Sequence, residues 1–432
     1  MLSPSFKVFS RPLADHEIHF VNQINNCFIQ FALEVENPQE LPSILEKIKN
    51  ATAGLYIKSD GYRLYDNMKN QETVTVHHIP KEIQTLSDCC DWIYNTFTPS
   101  YDNSLASIAA DERRIVVNSN HSISDGGYFA TLLQNIQDPS LDHLFKNKAP
   151  MPRDLRSDLL KDEFDEFIRN KEHYMNNWPS FQRSDLTYLN TQEVVDLPDS
   201  YNLLPQRFRA TIKCSELSPY IYNKETGKVK NMTDILWTGL CMAVNAKNGQ
   251  FGPIGVGSCM DFRRLVPKER VDNSFGNAFT NFTICVQNAN PRMTIGEICS
   301  TFRRNFNLIK ANDWFYKEYL FPLEYKRENL AISHVSNVGP MKIKSPFKDF
   351  YLQCTTKEQG LRPYLQVTSY SKAKEETDMN DLVLHMRFSN SVMSRKNASD
   401  IFETYVYFLK NVNPSMKSGD VLDELIHFQN SL

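Results

Sequence analysis

Residues 115–136 constrain the fold more than any other stretch of this chain. An apolar strand over 115–119 runs into a polar loop, the loop closes on Asp125-Gly126-Gly127, and an amphipathic helix follows over 128–136. A strand that buries one face and a helix that buries one stripe need other layers to cover them, so the unit demands a mixed, layered core. The same pattern recurs along the chain. Apolar residues Leu41, Ile44, Leu45 and Ile48 keep the period of a helix over 41–50, preceded by a strand over 28–33. Short strands are expected over 54–57 and 62–65, about the Asp60-Gly61 turn. The second half reads as strands over 203–212, 253–260, 330–337, 365–370 and 382–388. Helices are expected there from 231 or 233 to 247, over 294–308, and over 398–409 as the closing element. Thr233 suits an N-cap and Asn248-Gly249 a helix stop. The expected fold class is therefore α/β or α+β. The polar segment 145–185, with Pro150, Pro152 and Pro179, is the expected crossover between two lobes. Residues 115–121 with 128–136 can also be laid over 382–388 with 398–409, which puts Phe388 where His121 stands.

Bulk properties exclude several classes of function. A chain of 432 residues and 50.0 kDa can hold two or more cores. Hydrophobic residues at 41% and charged residues at 23% exclude a disordered or fibrous chain. Lys and Arg number 48 against 51 Asp and Glu, a net charge of −3 without a basic run, so nucleic acid is not an expected partner. Apolar stretches such as 235–244 are shorter than the roughly 20 residues that span a bilayer, and residues 1–10 lack a signal core. A cytoplasmic protein with no transmembrane segment is expected. Nine cysteines, at 27, 89, 90, 214, 241, 259, 285, 299 and 354, form no C-x-x-C pair and are expected to be reduced and mostly buried. No Cys/His ligand set occurs at short spacing, so no metal is expected, and His16, His19, His77 and His78 read as strand and loop residues.

The chemistry concentrates in Asn120-His121-Ser-Ile-Ser-Asp125-Gly126-Gly127. At this composition a random H-x-x-x-D-G occurs about 0.02 times. Alternation along the strand puts Ile115, Val117, Ser119 and His121 on one side and Val116, Asn118 and Asn120 on the other. An imidazole with an ordinary pKa of about 6.5 is a suitable general base for a hydroxyl or amine attacking a carbonyl. Asp125 suits either a partner for an Arg or an N-cap for the following helix, and Gly126 and Gly127 leave room for close approach to the backbone. The same residues also fit a core histidine, a cap and a turn. Spacing alone leaves both readings standing.

This block resembles the H-x-x-x-D-G signature of the superfamily containing chloramphenicol acetyltransferase. That superfamily includes the plant-type acyl-CoA-dependent acyltransferases, the fungal alcohol acetyltransferases and the condensation domains of nonribosomal peptide synthetases. Further landmarks follow in the expected order. Phe9-Ser-Arg-Pro-Leu with His16-Glu17 resembles the opening of the alcohol acetyltransferase-like and condensation-like branches. Asp261-Phe-Arg263-Arg264-Leu-Val-Pro267, then Phe275-Gly276-Asn277 and Asn281, resembles their D-x-R-x-x-x-P and G-N region. Ser333-His-Val-Ser336-Asn337-Val-Gly339-Pro340 resembles their S-N-x-G strand. The chain departs from the plant-type branch, which has D-F-G-W-G at Asp261, and from condensation domains, which usually carry the first His of a double His at Asn120. Both departures favour a free-standing CoA-dependent acyltransferase of the alcohol acetyltransferase-like kind, and the chain as a whole most resembles that branch and the stand-alone condensation-like one.

The resemblance implies a sandwich fold of two chloramphenicol acetyltransferase-like lobes, 1–180 and 181–432, with the active site in a tunnel between them. It implies a monomeric acyltransferase that moves an acyl group, acetyl by preference, from acyl-CoA to an alcohol or amine, with no bound cofactor. His121 would be the general base. Asp125 would be structural and paired with Arg263 or, second, Arg264, with Asp261 in the same salt-bridge group. Gly126 would shape the tunnel wall. Ser336 or Asn337 would donate to the oxyanion, unless they are ordinary turn residues, and Lys342, Lys344, Lys268 or Arg270 would meet the CoA phosphates, unless they are merely solvated. Trp237 and Met242 read as core. Two other functions fit the same motif: transfer from a carrier-protein thioester, and a binding protein without turnover.

Overall fold

A computed structural model of the chain describes residues 9–21, 27–67, 73–177, 186–190, 206–264, 276–312, 314–315, 319, 333–356, 365–374, 377–388 and 393–432. Lys268, Arg270, Pro267, Phe275 and Pro179 lie outside the described residues, as do the starts of the strands expected at 203 and 330. The chain divides into two compact units. One comprises Met1–Lys161, Asp261–Ala278 and Met341–Gln359; the other comprises Asp162–Met260, Phe279–Pro340 and Gly360–Leu432.

The first unit is built on a five-stranded sheet in the order Phe347–Thr356, Cys27–Val35, Arg114–Asn120, Ala106–Ala110, Val76–His78, antiparallel except for the last pair. Every residue of Cys27–Val35 except Glu34 is buried, because helices cover both faces. On one face Phe31 stacks on Phe129 of the helix Gly126–Ile136, with ring centroids 5.1 Å apart. On the other, Phe28 meets Tyr94 of the helix Leu86–Phe97, and a polar ladder runs from Thr355 to Gln30 to Asn118 through bonds of 2.7 and 2.8 Å. That helix carries Leu86, Cys89, Cys90, Ile93 and Tyr94 on its buried side, a plain helical period that the sequence reading overlooked.

The second unit holds most of a six-stranded sheet in the order Phe279–Cys285, Gly255–Asp261, Ser333–Ile343, Leu365–Lys374, Asp381–Phe388, Gln206–Lys213. The helix Met232–Lys247 is buried from Asp234 to Ala246 because the helices Ile295–Ala311, Arg395–Asn411 and Ser418–Asn430 pack on it. Trp237 and Met242 are core residues there, 1% and 0% exposed.

Several expectations need correction. Residues 53–55 form a 3-10 turn rather than a strand, and the strands of that region are Ile57–Ser59 and Arg63–Asp66. Asn231, at φ 55°, takes the N-cap position expected for Thr233. The helix over 398–409 is not the last, since Ser418–Asn430 follows it. The polar segment 145–185, expected as a crossover, is not among these: it contains the division between the units at Lys161 and Asp162, together with the helix Lys161–Arg169, whose Phe164 and Phe167 are buried.

Candidate active site

The motif occupies the end of a strand and the start of a helix, as its residues demand. Arg114–Asn120 is a strand, His121–Ile123 a turn, and Gly126 opens the helix Gly126–Ile136. His121 is half-buried and held on three sides. Its backbone N–H donates to the Cys27 carbonyl at 2.7 Å, and its carbonyl accepts from Asn277 Nδ2 at 2.7 Å. Its ring stacks on Phe20, with centroids 4.3 Å apart and planes 13° apart. Phe20 is tied back in turn, because Asn120 Nδ2 donates to its carbonyl at 3.2 Å while Asn120 Oδ1 accepts from Ser122 N at 2.9 Å. Asn120, the residue just before the motif histidine, thus shapes the turn around it.

Asp125 is buried and both its oxygens are engaged. Oδ1 caps the helix by accepting from Tyr128 N at 2.6 Å, and Oδ2 accepts from Ala278 N at 2.7 Å. Both accept from one guanidinium nitrogen of Arg263, at 3.0 and 3.1 Å. Asp261 Oδ1 accepts from the same nitrogen at 3.0 Å and from the Arg263 N–H at 3.0 Å. The two roles weighed for Asp125, cap and ion pair, therefore coexist. Burial disfavours the charge on Arg263, but the flanking carboxylates of Asp125 and Asp261 outweigh it and hold its pKa above the ordinary value. Burial likewise pushes the Tyr128 phenol up, and its hydroxyl donates to the Ala51 carbonyl at 2.6 Å.

The glycines serve packing. A Cβ on Gly127 would lie 2.5 Å from Asp261 Oδ2 and 2.9 Å from the Arg263 guanidinium, so the room expected for substrate at this glycine is filled by the ion pair. A Cβ on Gly276 would lie 1.9 Å from the Ile123 carbonyl oxygen, so two backbones touch beside the His121 turn. Arg11 and Glu17, from the opening landmark, form a bidentate pair at 2.7 and 2.8 Å, with Glu17 Oε2 also accepting from Ala14 N.

His121, Asp125, Gly126, Asp261 and Arg263 are thus gathered in the first unit, where Gly126 is half-buried at the helix start. Arg264 ends a 3-10 turn, Phe262–Arg264, and its side chain lies outside the described residues. Lys342 and Lys344 are exposed residues of the same unit, and Lys344 N donates to Gln137 Oε1 at 2.7 Å. Ser336 and Asn337 belong to the second unit, on the strand Ser333–Ile343. Asn337 Nδ2 donates to Thr233 Oγ1 at 3.1 Å, and its Oδ1 accepts from Gly339 N at 3.1 Å and Ser369 Oγ at 3.3 Å. These bonds tie its strand to a helix start and a neighbouring strand. The sequence reading did not see Phe20 or the supporting role of Asn277; no local pattern marks a residue that touches the motif only in three dimensions.

No protein-family model and no curated protein matches the sequence. Solved structures do resemble the chain. The first condensation domain of the CDA synthetase matches with a TM-score of 0.65 and 12% identity, over 95% of this chain and 98% of that one. The starter condensation domain of rhizomide synthetase, solved with C8-CoA, gives 0.61 and 10% over 95% and 96%. The trichothecene 15-O-acetyltransferase of Fusarium sporotrichioides gives 0.59 and 11% over 95% and 97%. These likenesses show the fold: the chain has the mixed α/β fold of condensation domains and of that acetyltransferase.

Proposed function

We propose that the protein is an acyltransferase that moves an acyl group, acetyl by preference, from acyl-CoA to an alcohol or amine, with His121 as general base. One observation carries this reading. Both oxygens of Asp125 are spent on Tyr128 N, Ala278 N and Arg263, which supports the His121 imidazole, rather than the carboxylate, as the motif's proton acceptor. The backbone of His121 is pinned at N–H and carbonyl and its ring rests on Phe20, so the base is held in place before substrate arrives. The imidazole takes the proton from the acceptor hydroxyl or amine as that atom attacks the thioester carbonyl. The tetrahedral oxyanion then collapses, the carbon–sulfur bond breaks, and the CoA sulfur leaves with the proton from the imidazolium. No acyl-enzyme forms and no bound cofactor is needed.

Asp125, Arg263 and Asp261 position the turn, Ser336 or Asn337 serves as oxyanion donor, and the exposed Lys342 is available to the phosphates of CoA. The chain works as a cytoplasmic monomer. A neighbour solved with C8-CoA supports an acyl-CoA donor. The likeness to condensation domains favours a second reading, in which a carrier protein presents the thioester. Among the described residues no helix is long and apolar enough to cross a membrane. Acyl-CoAs of graded chain length, assayed against hydroxyl and amine acceptors and beside the matching acyl-carrier protein, test the proposal. Product with acyl-CoA is expected; product with acyl-carrier alone selects the second reading, and none with either leaves a binding protein.

A further inference from the structure

Three side chains remote in sequence meet at one end of the five-stranded sheet. Phe28 pairs with Asn120, which sets Cys27 opposite His121, and Thr356 pairs with Cys27, which sets Cys354 diagonally across on the same face. Cys27 Sγ and Cys354 Sγ are 3.4 Å apart, and a ring nitrogen of His121 and the two sulfurs all lie within 4.8 Å of one another.

We propose that Cys27, His121 and Cys354 form a binding site for a thiophilic divalent ion, zinc being the best match. Two thiolates and an imidazole are the ligand types that zinc prefers over magnesium or calcium. Tetrahedral zinc, with bonds of about 2.3 Å to sulfur, holds two sulfurs about 3.7 Å apart, so the observed pair needs to open by only a few tenths of an ångström. Cys27 is buried while Cys354 and His121 are half-buried, which leaves the ion a way in and a fourth position for solvent. Each thiol gives up its proton as the ion binds. Spacing along the chain hides this set, because residues 27 and 354 lie on adjacent strands and residue 121 directly follows a third. The bound ion takes the imidazole lone pair, so zinc switches the base off. That consequence rests on the reading of His121 given above; the site itself does not.

Chelator-treated, reduced protein titrated with cobalt(II) tests the site directly. One equivalent is expected to produce thiolate-to-cobalt absorption in the near ultraviolet, displaced by zinc. Cys354→Ser is expected to lose that absorption, and His121→Gln, which keeps both sulfurs, to shift the visible bands. Zinc is expected to abolish product formation by the wild type while Cys354→Ser keeps its metal-free rate and is insensitive. Absence of the absorption in the wild type, or its persistence unchanged in Cys354→Ser, overturns the site. Absorption without turnover by the metal-free protein on any acceptor supports the site and counts against the acyltransferase reading alone.

Discussion

At the scale of single residues, His121 and Asp125 divide the work of the motif. The carboxylate is a structural hub that joins a helix N-terminus, the backbone at Ala278 and a buried guanidinium. Removing it takes one of the two flanking carboxylates from Arg263 and the cap from the helix. Asp125→Ala is therefore expected to cost about 3 kcal/mol of stability, in the range for breaking a buried pair. Asp125→Asn keeps a cap acceptor and should cost less. Urea unfolding of both variants checks the order, and the pH dependence of any residual turnover should keep the wild-type shape. A turnover profile that loses its acidic limb in Asp125→Asn would instead put the carboxylate in the proton path.

At the scale of elements, the turn between the strand Arg114–Asn120 and the helix Gly126–Ile136 depends on backbone contacts that no side chain can replace. Gly276→Ala would drive a Cβ into the Ile123 carbonyl, and neither backbone has a rotamer with which to yield. Gly127→Ala meets the ends of two side chains, which can shift at the expense of the ion pair, and gains some helix propensity in return. Overpacking costs about 1–3 kcal/mol in general. Gly276→Ala is expected at or beyond the upper end and Gly127→Ala near the lower end, as read by thermal and urea unfolding. Equal losses would mean that the Ile123 backbone moves more freely than its packing suggests. Much at this scale was legible in the sequence. The strand and helix of the motif and the stop at Asn248-Gly249 follow from local chemistry; the capping box from Thr294 to Glu297 is equally local but was not read. The helix Leu86–Phe97 was legible too and was overlooked. Asn231 was one of the two starts read, but its left-handed backbone in the N-cap position, where Thr233 was expected, was not legible from local pattern.

Across the whole molecule, the exchange of segments sets the limit of a linear reading. Asp261–Ala278 and Met341–Gln359 pack with the first unit although they follow long stretches of the second, and they bring Arg263, Asn277 and Cys354 to the motif strand's unit. Hydrophobic period reports which face a strand buries, not which sheet edge receives it, so the pairing of Phe347–Thr356 with Cys27–Val35 was out of reach. Stability also carries a pH dependence at this scale. Burial, then Arg387, drives His334 down to about 3, and burial, then Arg209, Arg207 and Lys372, drives His385 down to about 3. The unfolded chain takes up these protons first, so both contribute stability above their unfolded pKa of about 6.5, and it is lost as pH falls from there toward about 3. The slope is about 1.4 kcal/mol per pH unit for each histidine. Urea midpoints should fall between pH 6.5 and 5, and His385→Gln should flatten that fall; an unchanged slope would contradict it. The central claim is that one imidazole, placed by this fold, carries the acyl transfer. Its most direct measurement is the rate of thiol release from acetyl-CoA with the best acceptor, wild type against His121→Ala. A loss of about 10²- to 10⁴-fold with unfolding unchanged is the expected result, and equal rates on every acceptor would contradict the account.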